Sequence, residues 1–328
     1  MGKGLALVCG GGGFIGGHLV KDLLSQGFAV RSVDQKPVDQ WYLLDNAAEN
    51  LVLDLRQIDA CRQAVKGATR VYQLAADMGG MGFIENNKAL CMLSVLINTH
   101  MLQAAQETGN VERFFYSSSA CVYNADKQVN EDVVALKEED AYPAMPEDGY
   151  GWEKLFSERM CRHFREDYGL ETRVARFHNV YGPFGTWDGG REKAPAAMIR
   201  KVIHSKRSGD NTIEIWGDGK QTRSFMYIDD CIKGINLFTD WDCLEPLNLG
   251  SNELVTINQL VDIVEEIAGV TLERNYNLDA PKGVNGRNSD NERINQVFGW
   301  EPSIRLRDGM KLTYDWILGE IEAGAKSR

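Results

Sequence analysis

The chain has 328 residues, 43% of them hydrophobic and 25% charged, a globular balance that excludes wholesale disorder and a fibrous repeat. It carries 36 basic against 47 acidic residues, net −11, which argues against general nucleic-acid or anionic-membrane binding. Its seven cysteines, at 9, 61, 91, 121, 161, 231 and 243, form no CxxC pair and suit a reducing compartment, so a cytoplasmic location is expected. No apolar run is long enough to span a membrane, and neither a signal peptide nor a myristoylation motif is expected at the start, where Ala6 stands at the motif's Ser/Thr position.

The first element is an apolar run, Gly4–Cys9, that ends in four glycines. A helical pattern follows, with Ile15, Leu19, Leu23 and Leu24 at three- and four-residue spacings up to Gly27. Phe28–Val33 reads as a second strand and stops at Asp34. Further apolar runs stand at 51–53, 71–74, 113–116 and 172–176, alternating with helical stretches near 57–66, 86–108 and 150–168. Alternation of this kind predicts α/β architecture: a Rossmann-type, doubly wound parallel sheet covered on both faces. After about residue 178 the alternation degrades. Turns at Tyr181–Gly185 and Trp216–Gly219, a strand near 246–249 and a helix near 256–268 read as a smaller α/β lobe. The expected division is 1–178 for an NAD-binding domain, which also uses about 228–250, and 179–328 mainly for substrate.

Cys9–Gly16 contains both common glycine spacings: Gly10, Gly13 and Gly16 fit G-x-x-G-x-x-G, and Gly11, Gly13 and Gly16 fit G-x-G-x-x-G. Such glycines allow a tight turn, close approach of a pyrophosphate, and helix–strand packing. The motif follows a strand, opens a helix at Phe14 and Ile15, and meets Asp34 about 20 residues on, the context of a dinucleotide site. A carboxylate at Asp34 accepts from a ribose 2′-OH and repels a 2′-phosphate, favouring NAD, although Arg31 and Lys36 weaken that preference. Asp54 fits two roles, acceptor for an adenine amine or turn former.

Tyr150 and Lys154 stand four apart on one helical face, so the ammonium can favour the phenolate as proton acceptor. The same spacing at Tyr123 and Lys127 has no helical stripe behind it. Upstream, Phe115–Ser119 is a strand ending in hydroxyls, where Ser119 can bond a sugar oxygen. The glycine loop, the serines and Tyr150/Lys154 together resemble the extended short-chain dehydrogenase/reductase family. Within it, Leu74–Phe83, Ser118–Tyr123, Arg176–Trp187, Gly189–Ala197, Gln221–Phe225 and Gly286–Asn291 resemble the GDP-mannose 3,5-epimerases, over about residues 4–318. Departures are Cys9 before the first glycine, Trp152 inside the Tyr/Lys motif, and a few extra residues at 203–212.

That resemblance implies NAD as cofactor, with Leu74 in its site, and conversion of GDP-mannose to GDP-L-galactose, or to GDP-L-gulose by C5 inversion alone. It assigns Cys121 as base and Lys193 as acid beside Tyr150, Lys154 and Ser119. Gly79, Ala120, Glu192, Ala194, Thr222, Asn179 and Gln221 fall to the substrate, and Lys201, Arg223 and Arg287 to its diphosphate. It also implies a homodimer joined through a four-helix bundle of helices 86–108 and 150–168. From the residues themselves, the six basic residues against one acid between Arg191 and Arg207 are a plausible diphosphate site, with Lys206 and Arg207 reading as solvated. Lone cysteines mostly behave as small buried hydrophobes, and His178 reads as a packed strand-end residue. Five scattered histidines predict no metal site. The alternatives are a nucleotide-sugar 4-epimerase or 4,6-dehydratase on this fold, or a non-catalytic Rossmann protein that senses dinucleotide or binds RNA.

Overall fold

Leu5–Cys9 forms β1, a central strand whose side chains from Ala6 to Cys9 are fully buried. Its alternation feeds two cores, because successive strand side chains point to opposite faces. Ala6 and Val8 join one apolar cluster, and Leu7 and Cys9 join another. A computed structural model describes residues 3–281, 283–325 and 327.

The chain then runs α1 (Phe14–Ser25), β2 (Ala29–Asp34), β3 (Glu49–Val52), α2 (Ile58–Val65) and β4 (Arg70–Gln73). Two short helices, α3 (Met81–Asn86) and α4 (Lys88–Met92), and the longer α5 (Ser94–Thr108) follow, before β5 (Arg113–Ser119), α6 (Asp148–Tyr168) and β6 (Thr172–Phe177). The single helix expected over 86–108 is therefore broken. Asn87 leaves helical geometry at φ −132° and ψ 39° while its amide donates to the Phe83 carbonyl. A second step falls at Leu93.

The remaining elements are β7 (Val180–Tyr181), α7 (Ala194–Ser208), β8 (Thr212–Trp216), β9 (Thr222–Ser224), β10 (Met226–Tyr227), α8 (Ile228–Asp240) and β11 (Leu247–Leu249). After them come β12 (Leu254–Thr256), α9 (Ile257–Ala268), β13 (Glu273–Asn277), β14 (Gly286–Arg287), α10 (Glu292–Phe298) and α11 (Leu306–Glu322).

The main sheet has the order β3-β2-β1-β4-β5-β6-β11, and all six pairings are parallel. This is the Rossmann order with one added strand. The order in which strands are added reverses between β1 and β4, which opens a crevice at their carboxyl ends, the place where such sheets bind ligands. Segment 228–249 returns to this sheet: α8 packs on α1, and β11 pairs with β6 through Leu247 and Ala175.

The second lobe holds three small sheets, β12-β9-β14, β13-β8 and β10-β7. Helices α7, α9 and α11 pack on one another behind them. The first core continues into this lobe through Ile199, Val202, Leu260 and Met310, so continuous apolar packing fixes it over the crevice. Among the described residues no helix is long and apolar enough to cross a membrane, and no cluster of potential metal ligands occurs.

Candidate active site

At the β1–α1 turn, Gly10 adopts φ +82°, a left-handed conformation that favours glycine. A Cβ on Gly16 would stand 2.0 Å from the Gly10 carbonyl oxygen, so only glycine lets the helix start this close to the strand. No side chain caps α1, which leaves its first N–H groups to face an anion. Beyond the loop lies a cavity of about 670 Å³, in the size range of cofactor and ligand sites. Gly10, Gly13, Phe14, Ile15, Gly16, Asp34, Asp54 and Leu74 all line it, as do Gly79, Ser119, Tyr150, Lys154 and Lys193.

Asp34 ends β2 at the cavity wall and accepts from the Lys36 backbone N–H at 3.0 Å. Arg31 turns away to Glu49, at 2.7 Å, and to the Ala64 and Lys66 carbonyls. Its charge is thus neutralised outside the site, which sharpens the preference for a ribose hydroxyl over a 2′-phosphate. Asp54 is gripped by its neighbour Arg56 at 2.9 and 2.8 Å while still lining the cavity. An uncapped glycine turn, a ribose-reading carboxylate and a cavity of this size fit a dinucleotide.

Tyr150 and Lys154 project from α6, both buried. Lys154 Nζ donates to the Ser117 carbonyl at 3.0 Å and lies 5.5 Å from the centre of the Tyr150 ring. Burial pushes the Tyr150 phenol well above its ordinary value, with Cys121 and Glu153 adding to the rise, while the Ser119 hydroxyl works the other way. Burial lowers Lys154, against the pull of Glu153. The expected direct lowering of the phenol by the ammonium is therefore outweighed by desolvation in this pocket.

Cys121 sits just past β5, where the Ser119 hydroxyl oxygen accepts from its backbone N–H at 3.2 Å. Gly151 brings α6 against it: a Cβ there would lie 2.3 Å from the Cys121 carbonyl oxygen. Cys121 and Tyr150 consequently share one buried cluster with Ile84 and Cys91. Arg287 Nη1 stands 3.4 Å from Cys121 Sγ, its Nε donates to Gln128 at 2.7 Å, and its Nη2 pairs with Glu147 at 2.6 Å. Burial raises the Glu147 carboxyl, but the Arg287 and Arg223 charges outweigh it and hold the group below the usual range. Lys193 precedes α7, and burial lowers its amine, with Cys121 opposing and Arg287 adding to the fall.

Arg223 donates to the Thr222 and Val284 carbonyls, and burial beside Arg287 pushes it down to about 10. Gln221 donates to the Trp216 carbonyl at 2.9 Å, while its own side-chain oxygen is buried without a hydrogen-bond partner. Thr222 donates to Glu131, and Asn179, at φ +32°, donates to Ser224. Glu192 accepts from Arg200 at 2.9 Å, its carbonyl sits where a Cβ on Gly80 would be, and Ala194 opens α7. Ala120 is buried in an apolar cluster. Lys201 donates to the Glu214 carbonyl at 2.8 Å and stands over the Trp216 ring at 5.8 Å. Lys206 and Arg207 are exposed. His178 is fully buried, its Nε2 donates to Asn248 Oδ1 at 2.9 Å, and burial pushes it down to about 3. Tyr123 is buried against Asn248 and Arg176, and Lys127 pairs with Asp140, so that spacing marks no second site.

Glu147 and Gln128 escape a reading of the sequence because Arg287, their partner, is 140 and 159 residues away. Glu153 did carry a signal, as the acid next to Lys154. It is buried with Asn98, Tyr116 and Ser157 around it.

A Rossmann sheet, an uncapped glycine turn, a Ser/Tyr/Lys set and a thiol–guanidinium pair define a dinucleotide-using enzyme of the short-chain dehydrogenase type. The chain belongs to the NAD dependent epimerase/dehydratase family, whose model matches residues 6–250, and its cofactor is NAD. It is 46% identical over 316 residues to GDP-mannose 3,5-epimerase 1 of Oryza sativa subsp. japonica, covering 96% of this chain and 82% of that one. Identity to the GDP-mannose 3,5-epimerase of Arabidopsis thaliana is 44% over the same shares. Among solved structures, the UDP-glucose 4-epimerase of Thermotoga maritima with UDP-glucose superposes with a TM-score of 0.87 at 25% identity, covering 97% of this chain and 99% of that one.

Proposed function

We propose that this chain inverts C3 and C5 of GDP-mannose, giving GDP-L-galactose, or GDP-L-gulose when C5 alone is inverted. The observation that carries this reading is the thiol. Cys121 shares a buried cluster with Tyr150, and Lys193 lines the same cavity as Tyr150. A plain 4-epimerase has no use for that pair, and a 4,6-dehydratase carries acids where Ala120 and Cys121 stand.

NAD, held by the glycine loop, Asp34 and Lys154, supplies a reversible two-electron acceptor for sugar C4. Ser119 and Tyr150 act on the C4 hydroxyl, Ser119 by bonding its oxygen and Tyr150 by taking its proton. A ketone at C4 makes the C3 and C5 hydrogens acidic, because an enolate holds the charge. Cys121 removes a proton from one face, and Lys193, its amine eased toward release by burial, returns one to the other. Arg287 and Arg223, with Asn179 and Gln221, take the diphosphate end. Residues 1–178 with about 228–250 form the NAD domain, and 179–328 mainly the nucleotide-sugar lobe.

The partner is a second copy of the chain. Met92, Leu93 and Leu96 on α4–α5, and Trp152 and Phe156 on α6, are apolar and between 38% and 50% exposed. A helical row of this kind is buried when two copies join through a four-helix bundle. Seven free cysteines suit the cytoplasm. Incubation with GDP-mannose and assignment of product stereochemistry tests the activity. Inversion at C4 alone, or loss of water, would give it to one of the alternatives.

A further inference from the structure

Lys193 lines the cavity, yet its side chain makes no hydrogen bond or ion pair among the described residues. Its place is therefore set by its backbone. On the C-terminal side its carbonyl accepts from the Ala197 N–H at 3.0 Å as α7 begins. On the N-terminal side stand Gly189 and Gly190, at φ +94° and +88°, each with open space where a Cβ would be. Glycines in open space do not by themselves hold a loop in one conformation. The residue between them and Glu192 has to do so.

That residue is Arg191. Its carbonyl accepts from the Gly80 N–H at 3.1 Å. Its guanidinium lies 3.8 Å from the centre of the Phe83 ring, donates to the Met78 carbonyl at 3.3 Å and stands 3.7 Å from Asp77. The Arg191 side chain is 45% exposed, so the ion pair contributes little and the stack on the ring contributes more. The approach of the two loops is close: a Cβ on Gly79 would lie 2.9 Å from Phe83 Cβ and 3.2 Å from Arg191 Cα. Phe83 and Met78 pack in turn against the buried cluster that holds Cys121 and Tyr150. Phe83 thus meets both ends of the chemistry. It packs on the thiol's cluster, and it carries the guanidinium two residues before Lys193.

We infer that Arg191 and Phe83 are a positioning pair that sets the Lys193 amine against the Cys121 thiol across the sugar. The inference rests on the epimerase reading above and names what fixes the spacing of its acid and base. Inversion needs a proton acceptor on one face of the ring and a donor on the other, and a misplacement of about 1 Å costs on the order of 10²-fold. Oxidation at C4 needs neither group, because Ser119 stands on β5 and Tyr150 and Lys154 on α6. Loss of the stack therefore strikes the inversion and spares the oxidation. Arg191 acts through Lys193 and takes no proton itself.

The test compares the full NAD-loaded chain with Arg191→Met and Phe83→Leu. In both variants kcat for inversion of GDP-mannose should fall by up to roughly 10²-fold with KM little changed, while C4 oxidation, read as reduced-nicotinamide absorbance, stays at the parent rate. Arg191→Lys, whose ammonium can lie over the same ring, should recover most of the loss. In a Lys193→Ala background Arg191→Met should cost nothing further, because the amine it places is gone. An acetylating ester reads the placement without turnover. Acetylation of Lys193, followed by peptide mass spectrometry, should quicken at least about twofold in Arg191→Met, the share of one exposed cation–π contact. The inference is overturned by parent-like inversion in Arg191→Met, by an equal loss of C4 oxidation, by an equal loss in the Lys193→Ala background, or by unchanged acetylation of Lys193. The parent's products separate this from the activity itself. If the parent leaves C3 and C5 untouched, the function is lost and acetylation alone decides the pair. If the parent inverts both and Arg191→Met does so as fast, the function stands and the pair falls.

Discussion

Arg287 Nη1 lies 3.4 Å from Cys121 Sγ, and the same guanidinium holds Glu147 at 2.6 Å with both side chains nearly excluded from solvent. The carboxylate orients the cation, and the cation meets the thiol that the proposed chemistry needs as a base. Removing the cation leaves Glu147 buried without its main counter-charge. Arg287→Gln should therefore destabilise the fold by about 3–5 kcal/mol in urea unfolding. Adding Glu147→Gln should recover part of that loss, with a coupling of about 0.5–3 kcal/mol in the double-mutant cycle. Strictly additive losses would dissolve the pair. Glu147 is held below its unfolded value, so its stability share is present above the unfolded pKa of about 4.3 and is lost as pH falls. Glu147→Gln should flatten the acid limb of the stability curve.

A second pH dependence comes from His178. It is fully buried and pushed down to about 3, so the folded chain keeps it neutral where the unfolded chain protonates it, near 6.5. The unfolded state then binds more protons. Stability is complete above about pH 6.5 and falls toward pH 3, by up to about 1.4 kcal/mol per pH unit from this group. Denaturant melts at pH 7 and pH 5 should show the slope. In His178→Gln, which keeps a donor for Asn248, the slope should shrink by about one proton; an unchanged slope would take His178 out of the acid response.

The N-terminal half of this site was legible because its signals are local. Strand, glycines, helix and Asp34 occupy about 30 consecutive residues, and the β1–β2 register from Leu5↔Ala29 to Cys9↔Val33 follows from that short connection. The second lobe was not. Its strands are two to five residues long, too short for periodicity, and pair across distance, as Thr222 with Gly286 and Leu254 with Ser224. Lys201 is an example: the resemblance assigns it to the diphosphate, and its contacts with Glu214 and the Trp216 ring are made only in the fold. The break at Asn87 was hidden for another reason: the apolar pattern continues through it, and only the Asn87 side chain reaching back to Phe83 marks it.

Cofactor choice turns on Asp34. Arg31 is occupied by Glu49, so no guanidinium from β2 is left to welcome a 2′-phosphate. Asp34→Ala should weaken NAD by about tenfold, consistent with loss of a bond to a charged acceptor, and should reduce the discrimination against NADP. Titration of both cofactors measures it. A variant that binds both as the parent does would remove Asp34 from the ribose site.

The exposed row on α4, α5 and α6 makes a quantitative demand on association. Phe156 is 50% exposed and Leu96 38% exposed. Glutamate at both positions should place charges in the bundle's apolar seam. Sedimentation of the parent at micromolar concentration should give a dimer, and Leu96→Glu with Phe156→Glu a monomer of unchanged helix content. A monomeric parent would reject the bundle.

The division of labour between Tyr150 and the Cys121/Lys193 pair gives the most direct test of the chemistry. In D2O the parent should place deuterium at C3 and C5 of the sugar but not at C4. C3 and C5 lose protons that exchange with solvent, whereas the C4 hydrogen leaves with its electron pair and returns the same way. Cys121→Ala should slow incorporation by roughly 10²–10⁴-fold, the usual share of a general base. It should still oxidise C4 slowly, seen as reduced-nicotinamide absorbance, because Tyr150 and Lys154 are on α6 and keep the Ser117 and Ser119 partners. Lys193→Ala should separate the two signals in the same way. Tyr150→Phe should differ in kind: without a C4 ketone neither C3 nor C5 is acidic, so absorbance and deuterium vanish together. Normal incorporation in Cys121→Ala would take the thiol out of the mechanism and leave a 4-epimerase as the better description of this site.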